Sequence, residues 1–180
     1  MGISSDKPIV LIGATSIHAP YKGLELFMES MALFPEDKYL VLVFGKCQQG
    51  WSVGLKQEIK ELGYLADSTS LRLAYSAADV FVAPSKMEAF GKTLVEAMAC
   101  QTPTVCFNAC GPRDIVDHKI TGYKARAFDS SDLARGIDWV IGANVDGALG
   151  KAAESAASKC FEKSVIAKRY VALYENLLEQ

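Results

Sequence analysis

Continuous apolar runs recur along the chain and are separated by segments of mixed polarity. Four of these runs are typical of strands buried on both faces of a parallel sheet, namely "PIVLIGA", "YLVLVFG", "DVFVAPS" and "TPTVCFN". A shorter segment, "IKELGYL", predicts one more strand between the second and third of these runs. The pattern therefore predicts five strands, most of them in the interior of a sheet.

Helical periodicity fills the intervals between the strands. From Lys22 onward, apolar residues recur at three- and four-residue spacing until Pro35 ends the pattern. Further helices are predicted at "DSTSLRLAYSAA", from Gly91 to Cys100, and at "SSDLARGIDWVIG", "GALGKAAESAASKC" and "VIAKRYVALYENLL". The segment "GPRDIVDHKITGYKA" predicts a helical turn and a short extended piece. Strands that alternate with helices predict an α/β domain with a mainly parallel sheet and right-handed crossovers.

Composition narrows the choice of partners and of cellular compartment. The 180 residues are 50% hydrophobic, which suits one complete domain with a sizeable core, and the net charge of -2 argues against nucleic acid as a partner. Five cysteines without a CxxC pair, and only two histidines, argue against a structural zinc site. An odd number of mostly apolar-flanked cysteines predicts a reducing, cytoplasmic location.

The fold class itself predicts where a ligand would bind. In open α/β sheets, ligands bind outside the carboxyl ends of the strands. Three segments occupy such positions in this sequence: the loop after Gly13, the loop after Gly45, and the stretch 84–91. We therefore expect a site formed by these three segments.

The stretch "MEAFGKTLVEAMAC" combines a predicted helix start with two carboxylates. A helix that begins at Gly91 offers unpaired N–H groups and a partial positive charge to an anion such as a diphosphate, and Lys92 and Thr93 lie in its first turn. Glu96 leans back toward that turn, where a ribose is an expected neighbour, and Glu88 precedes the helix on the other side. From this pattern alone, ordinary surface roles for both glutamates stay equally open.

The same residues resemble a known family. "EAFGKTLVE", with two glutamates separated by seven residues and followed by "AMACQTPTVCF", resembles the signature of the retaining nucleotide-sugar glycosyltransferases of family 4, which have the GT-B fold. "GATSIHAPYKG", "YSAADVFVAPS", "DIVDHKITGYKARAFDSSDLARGIDWVI" and "CFEKSVIAKRYVALYENLL" are similar to other segments of that family, in the same order. The resemblance extends from about Pro8 to Leu178.

The resemblance implies one half of such an enzyme. Residues 1–180 are similar to the C-terminal, donor-binding domain, which is Rossmann-like with three layers, and its C-terminal helices would occupy about 146–180. The N-terminal acceptor domain is absent, so we expect it as a further domain or as a partner subunit. The implied activity is hexosyl transfer in bacterial polysaccharide biosynthesis, with peripheral membrane association of the full enzyme. The isolated chain is expected to be inactive.

The resemblance also implies roles for individual residues. Glu88 would act at the donor sugar and Lys22 would neutralise the leaving diphosphate, as the two catalytic residues. The implied donor-binding residues are Gly13, Leu65 beside the nucleobase, Ala89, Phe90 and Gly91 at the sugar hydroxyls, Lys92, Thr93 and Leu94 at the diphosphate, and Glu96 at the ribose. The implied substrate is a UDP- or GDP-linked sugar, and neither a metal nor a cofactor is implied.

The sequence departs from the family pattern at two positions. Ala14 stands where the family commonly has a phosphate-binding arginine, and we expect Lys92 to compensate. Gln101 replaces a glycine at the end of the motif helix, where a left-handed residue is expected.

The main alternative to a glycosyltransferase domain is a non-catalytic module that binds a nucleotide sugar. A receiver or flavodoxin-like domain is a weaker one, because it predicts an aspartate cluster or a flavin loop that the sequence lacks.

Overall fold

A computed structural model describes residues 6–179, so residues 1–5 and 180 of the predicted domain lie outside the described residues. Within them the chain forms a six-stranded sheet in which every neighbouring pair is parallel. The strands are β1 (Ile9–Ser16), β2 (Leu40–Lys46), β3 (Glu58–Gly63), β4 (Val80–Ala83), β5 (Thr104–Phe107) and β6 (Gly122–Ala125). The spatial order is β3-β2-β1-β4-β5-β6, which is the doubly wound Rossmann order. The predicted α/β fold is confirmed, and the short extended piece is the sixth strand.

Seven α-helices accompany the strands within the described residues. They are α1 (Leu24–Ala32), α2 (Ser68–Ser76), α3 (Lys92–Ala99), α4 (Pro112–Ile115), α5 (Ser130–Ala143), α6 (Ala148–Phe161) and α7 (Lys163–Leu178). Helices α1 and α5 pack on one face of the sheet, and α2, α3 and α6 pack on the other. The interior strands alternate between these two cores, as β1 does with Val10 and Ile12 on one side and Leu11 on the other. These are the three layers predicted for the domain.

The first helix begins two residues later than predicted. Pro20–Lys22 forms a 3₁₀ turn, Gly23 adopts a left-handed conformation with φ of 68°, and α1 starts at Leu24. A Cβ at position 23 would lie 2.0 Å from the carbonyl oxygen of Pro84, so only glycine fits this close approach. As a result, Lys22 lies in a tight turn against the end of β4 and not on the face of a helix.

The end of α3 explains the departure at Gln101. The N–H of Thr102 donates to Ala97 O at 3.0 Å and the N–H of Gln101 donates to Met98 O at 3.0 Å, which is the hydrogen-bond pattern of a Schellman motif. Gln101 occupies its left-handed position with φ of 59°. A glutamine therefore adopts the conformation that glycine adopts at a much lower energetic cost.

Replacing Gln101 with glycine is expected to raise the free energy of unfolding by about 0.5–1 kcal/mol, because glycine removes the steric cost of the left-handed conformation. The loss of one hydrogen bond, from Gln101 Nε2 to Glu154 Oε2 at 2.8 Å, offsets little of this gain because both side chains lie at the surface. Urea unfolding monitored by circular dichroism measures the difference. Gln101→Ala is the matched control, since it loses the same bond without gaining the freedom of glycine. Equal urea midpoints for the two variants would contradict the prediction.

The last helix has an exposed apolar face. None of the residues of α7 is buried, and the exposed ones include Tyr170, Leu173, Tyr174 and Leu177. The described part of this chain therefore leaves the apolar side chains of α7 uncovered. No helix among residues 6–179 is both long enough and apolar enough to cross a lipid bilayer.

Candidate functional site

The three segments predicted to form a site converge at the carboxyl edge of the sheet. This is where the strand order reverses between β1 and β4, the position at which doubly wound sheets bind ligands. A pocket of about 280 Å³ opens there, and its lining includes Ala14, Gly45, Leu65, Lys92, Thr93 and Glu96. A second, smaller cavity of about 20 Å³ adjoins it and is lined in part by Gly13, Lys22, Ser85 and Thr93. Ala14 and Thr93 line both spaces, so the two are adjacent, and together they are called the crevice.

The N-terminus of α3 points unpaired donors into this crevice. Gly91 precedes the helix with φ of 108°, a backbone conformation that residues other than glycine rarely adopt. The N–H groups of Leu94 and Val95 both donate to Gly91 O, at 2.9 and 3.4 Å. Among the residues that the structure describes, the N–H groups of Lys92 and Thr93 have no hydrogen-bond acceptor. Two free N–H groups beside the positive end of a helix dipole are an arrangement that can bind an anion, so the diphosphate contact of Lys92 and Thr93 stays a prediction.

Lys22 and Glu88, the two predicted catalytic residues, form an ion pair. Lys22 Nζ lies 2.6 Å from Glu88 Oε2, although the two residues are 66 positions apart in sequence. Both side chains are only about a quarter exposed, at 23% and 24%. The turn after β1 positions Lys22 and the loop after β4 positions Glu88, so the topology of the sheet brings them together.

The loop between Glu88 and Gly91 is supported from two sides. The carbonyl oxygen of Glu88 accepts a hydrogen bond from the N–H of Gly111 at 3.0 Å. A Cβ at Gly111 would lie 2.3 Å from the carbonyl oxygen of Ala89, so the two backbones are in close contact. On the other side, Tyr21 O accepts hydrogen bonds from Lys86 N at 2.8 Å and from Met87 N at 3.3 Å. The backbone of the motif is therefore held by hydrogen bonds at Lys86, Met87 and Glu88.

Ala89 and Phe90, which the resemblance placed at the donor sugar, are exposed beside the crevice. The Phe90 ring packs edge-on against Phe161 at the end of α6, with 5.5 Å between ring centroids. Phe90 is still 47% exposed. This contact joins the motif loop to the C-terminal helices.

Glu96 faces the larger pocket and is oriented by a buried tyrosine. Tyr75 Oη donates a hydrogen bond to Glu96 Oε2 at 3.1 Å, and Lys92 Nζ lies 3.5 Å from Glu96 Oε1. Burial raises the pKa of Tyr75 well above its usual range, and the charge of Glu96 adds to the effect, so the hydroxyl stays protonated and remains a donor. The Glu96 side chain is 33% exposed, which leaves oxygen lone pairs available to a ligand.

Replacing Tyr75 with phenylalanine is expected to weaken nucleotide binding about two- to tenfold, because a single hydrogen bond that orients a carboxylate is lost. The measurement is calorimetric titration with UDP or GDP, whichever binds more tightly. In a protein that already carries Glu96→Ala, the same substitution should have no further effect on affinity. An equal loss in both backgrounds would mean that Tyr75 acts only through packing.

The far end of the pocket, after β3, offers main-chain groups. Leu65 is half-buried there, and within residues 6–179 neither its N–H nor its carbonyl oxygen takes part in a hydrogen bond. Tyr64, next to it, is 58% exposed and also lines the pocket. A flat ligand group can therefore pack and form hydrogen bonds at this end.

The structure adds residues that the sequence pattern did not single out and weakens some expectations. Ser85 is buried next to Lys22, and Tyr75 orients Glu96, yet both belong to segments whose pattern indicated only a strand end and a helix core. The N–H of Leu94 already has an acceptor, so its predicted contact with a diphosphate stays a prediction. Lys92, expected to compensate for Ala14, has an 85% exposed side chain that pairs with Glu96. No group of three or more metal-ligating side chains is found within residues 6–179.

Comparison with known proteins gives a family match. The model of the family Glycosyl transferases group 1 matches residues 2–156. An N-acetylgalactosaminyltransferase of Campylobacter jejuni that acts on N,N'-diacetylbacillosaminyl-diphospho-undecaprenol is 26% identical over 175 residues, which are 96% of this chain and 46% of that protein.

Two solved structures share the fold over nearly the whole chain. The sucrose-phosphate synthase of Thermosynechococcus elongatus has a TM-score of 0.81 at 28% identity, over 98% of this chain and 47% of that one. HepE of Anabaena, solved in complex with UDP-glucose, has a TM-score of 0.76 at 23% identity, over 95% of this chain and 49% of that one. In each of these comparisons the present chain spans just under half of the other protein.

Proposed function

The chain belongs to the group 1 glycosyltransferases, and on that basis we propose that it binds a nucleoside diphosphate sugar as the donor half of a two-domain GT-B enzyme. The observation that carries the proposal is the set of groups at the two adjacent spaces of the crevice. Leu65, Glu96 and the first turn of α3 line the larger space, and Lys22, which pairs with Glu88, lines the smaller one. We assign the base to Leu65, the ribose to Glu96, the diphosphate to the α3 N–H groups and Lys22, and the sugar to Glu88.

Each group suits the part of the donor assigned to it. The carboxylate of Glu96 accepts hydrogen bonds from the two ribose hydroxyls, as an acidic residue does in other dinucleotide-binding folds. The N–H groups of Lys92 and Thr93 bind phosphate oxygens, and Gly13 lies at the smaller space of the crevice beside them. Glu88 and the loop formed by the exposed Ala89 and Phe90 and the buried Gly91 are assigned to the transferred sugar.

The proposed reaction is transfer of the sugar to an acceptor hydroxyl with retention of configuration. The bond from the anomeric carbon to the diphosphate oxygen breaks, and negative charge develops on that oxygen. Lys22 and the N-terminus of α3 stabilise this charge. Glu88 is placed to stabilise the sugar as positive charge develops on it. The acceptor hydroxyl forms the new bond, and its proton leaves with the nucleoside diphosphate.

The acceptor side of the cleft is proposed to come from residues outside this chain. Because the chain spans just under half of the proteins it was compared with, it contributes one wall of a two-domain cleft. Positioning two reactants supplies a large part of the rate enhancement in such reactions. We therefore expect the isolated chain to bind the donor without transferring the sugar at a measurable rate. The cytoplasmic location predicted from the cysteines stays a prediction.

A thermal-shift panel tests the binding function directly. The ligands are UDP, GDP and ADP, each alone and as a glucose or mannose derivative. A ligand present at 100 times its Kd stabilises the folded state by about 2.7 kcal/mol, so one nucleotide family should raise the Tm by several degrees. UDP-glucose is the first ligand to test, because the similar protein HepE was solved in complex with it. A panel in which no ligand at millimolar concentration raises the Tm would overturn the proposed function.

A further inference from the structure

Three lysines near the anion site are each paired with a glutamate. The three pairs are Lys22–Glu88 at 2.6 Å, Lys92–Glu96 at 3.5 Å, and Lys86–Glu25. These three pairs bring no net positive charge to the crevice, and the free donors at the start of α3 are the backbone N–H groups of Lys92 and Thr93. An incoming diphosphate gains the full, unshared charge of one of these lysines only if its pair opens.

The Lys22–Glu88 pair has the greatest effect on a phosphate group. It is the least exposed of the three, so solvent screens it least. A phosphate oxygen that contacts Lys22 Nζ also comes close to a Glu88 carboxylate that lies 2.6 Å from the same nitrogen. Two negative groups at such separation repel each other strongly in a partly buried site.

A nucleoside diphosphate sugar and a free nucleoside diphosphate interact differently with the Glu88 carboxylate. In a nucleoside diphosphate sugar the β-phosphate is esterified, and the sugar brings hydroxyl groups that donate hydrogen bonds to a carboxylate. In the free nucleoside diphosphate the β-phosphate is terminal and carries an additional negative charge, and no hydroxyl is available to Glu88. The backbone of Glu88 is fixed by its bond to Gly111, so an exchange of partners requires only that its side chain turn from Lys22 toward a sugar.

Building on the proposed function, we propose that Glu88 is an exchangeable counter-ion of Lys22 that makes the site favour an intact nucleoside diphosphate sugar over the free nucleoside diphosphate. When the sugar is present, its hydroxyls bind the carboxylate and Lys22 is released to the β-phosphate. When the sugar has left, Glu88 returns to Lys22 and competes with the terminal phosphate. This competition weakens binding of the product and favours its release.

Calorimetric titration of Glu88→Gln with UDP and UDP-glucose tests the proposal, and GDP with GDP-mannose replaces them if that pair binds more tightly to the unsubstituted chain. Glutamine keeps the size and hydrogen-bonding capacity of the side chain but removes its charge. The unsubstituted chain should bind the nucleotide sugar more tightly than the free diphosphate. In Glu88→Gln, affinity for the free diphosphate should rise about fivefold, while affinity for the nucleotide sugar stays equal or falls, since one repulsive charge is gone.

Glu25→Gln is the matched control, because it removes the same charge from Glu25 of α1, which pairs with Lys86. It should change the ratio of the two affinities by less than about twofold, since Lys86 lines neither space of the crevice. A parallel loss of affinity for both ligands in Glu88→Gln would overturn the proposal and leave Glu88 as a residue that positions Lys22. An equal rise in both variants would overturn it in favour of a general charge effect. If the unsubstituted chain binds none of the four ligands, the proposed function itself fails, and this proposal fails with it.

Discussion

Replacing Lys22 with alanine is expected to weaken binding of UDP about 30- to 150-fold, which corresponds to about 2–3 kcal/mol. In this variant the β-phosphate has no cation beside it. It is also repelled by the Glu88 carboxylate, which has lost its partner Lys22. Lys22 and Glu88 are each about a quarter exposed, so the expected loss lies at the lower end of the range for partly buried charge pairs. Calorimetric or competition titration of the isolated chain measures it.

Three comparisons make this expectation specific to the β-phosphate. UMP keeps the base, the ribose and one phosphate, so its affinity should fall much less in Lys22→Ala than that of UDP. Adding Glu88→Gln to Lys22→Ala should recover about tenfold of the lost affinity, because the unpaired carboxylate is removed. Lys38→Ala is the matched control, since Lys38 forms an ion pair of the same 2.6 Å length with Asp138 near the start of β2. An equal loss of UMP and UDP affinity would place Lys22 away from the β-phosphate.

The strands and helices were predictable because hydrophobic patterning determines them locally. "YLVLVFG" is apolar throughout, and six of the seven residues of β2 are buried, as expected for a strand covered on both faces. The start of α1 was placed too early because the pattern of apolar residues does not reveal backbone approach. Gly23 is required by the carbonyl of Pro84, which is 61 positions away in sequence, and no local pattern contains that information.

The candidate site was only partly predictable for a similar reason. The helix start at Gly91 and the position of Glu96 one turn later follow from local sequence. The pairing of Lys22 with Glu88 does not, since it depends on the strand order, which places β1 beside β4. Tyr75 was missed because a tyrosine on the buried stripe of a helix resembles any other core aromatic residue. Its hydroxyl gains a function only from the neighbouring helix, where Glu96 accepts its hydrogen bond.

Replacing Glu96 with alanine is expected to weaken UDP binding about 10- to 30-fold. Hydrogen bonds to a charged group contribute about 1.5–3 kcal/mol, and the partial exposure of Glu96 places the expected loss near the lower end of that range. Titration of both proteins with UDP measures the change. Glu29→Ala is the matched control, because Glu29 is an exposed helical glutamate on the opposite face of the sheet, outside the crevice.

The ribose itself supplies the decisive comparison for Glu96. The 2′,3′-dideoxy analogue of UDP keeps the base and the diphosphate but lacks both hydroxyls that the carboxylate is proposed to bind. The unsubstituted chain should bind this analogue about as weakly as Glu96→Ala binds UDP, and Glu96→Ala should bind the two ligands almost equally. The double comparison isolates the interaction between carboxylate and hydroxyls from general effects of charge on the pocket. If Glu96→Ala still prefers UDP to the dideoxy analogue by the same factor as the unsubstituted chain, the ribose lies elsewhere and Glu96 serves only to orient Tyr75 and Lys92.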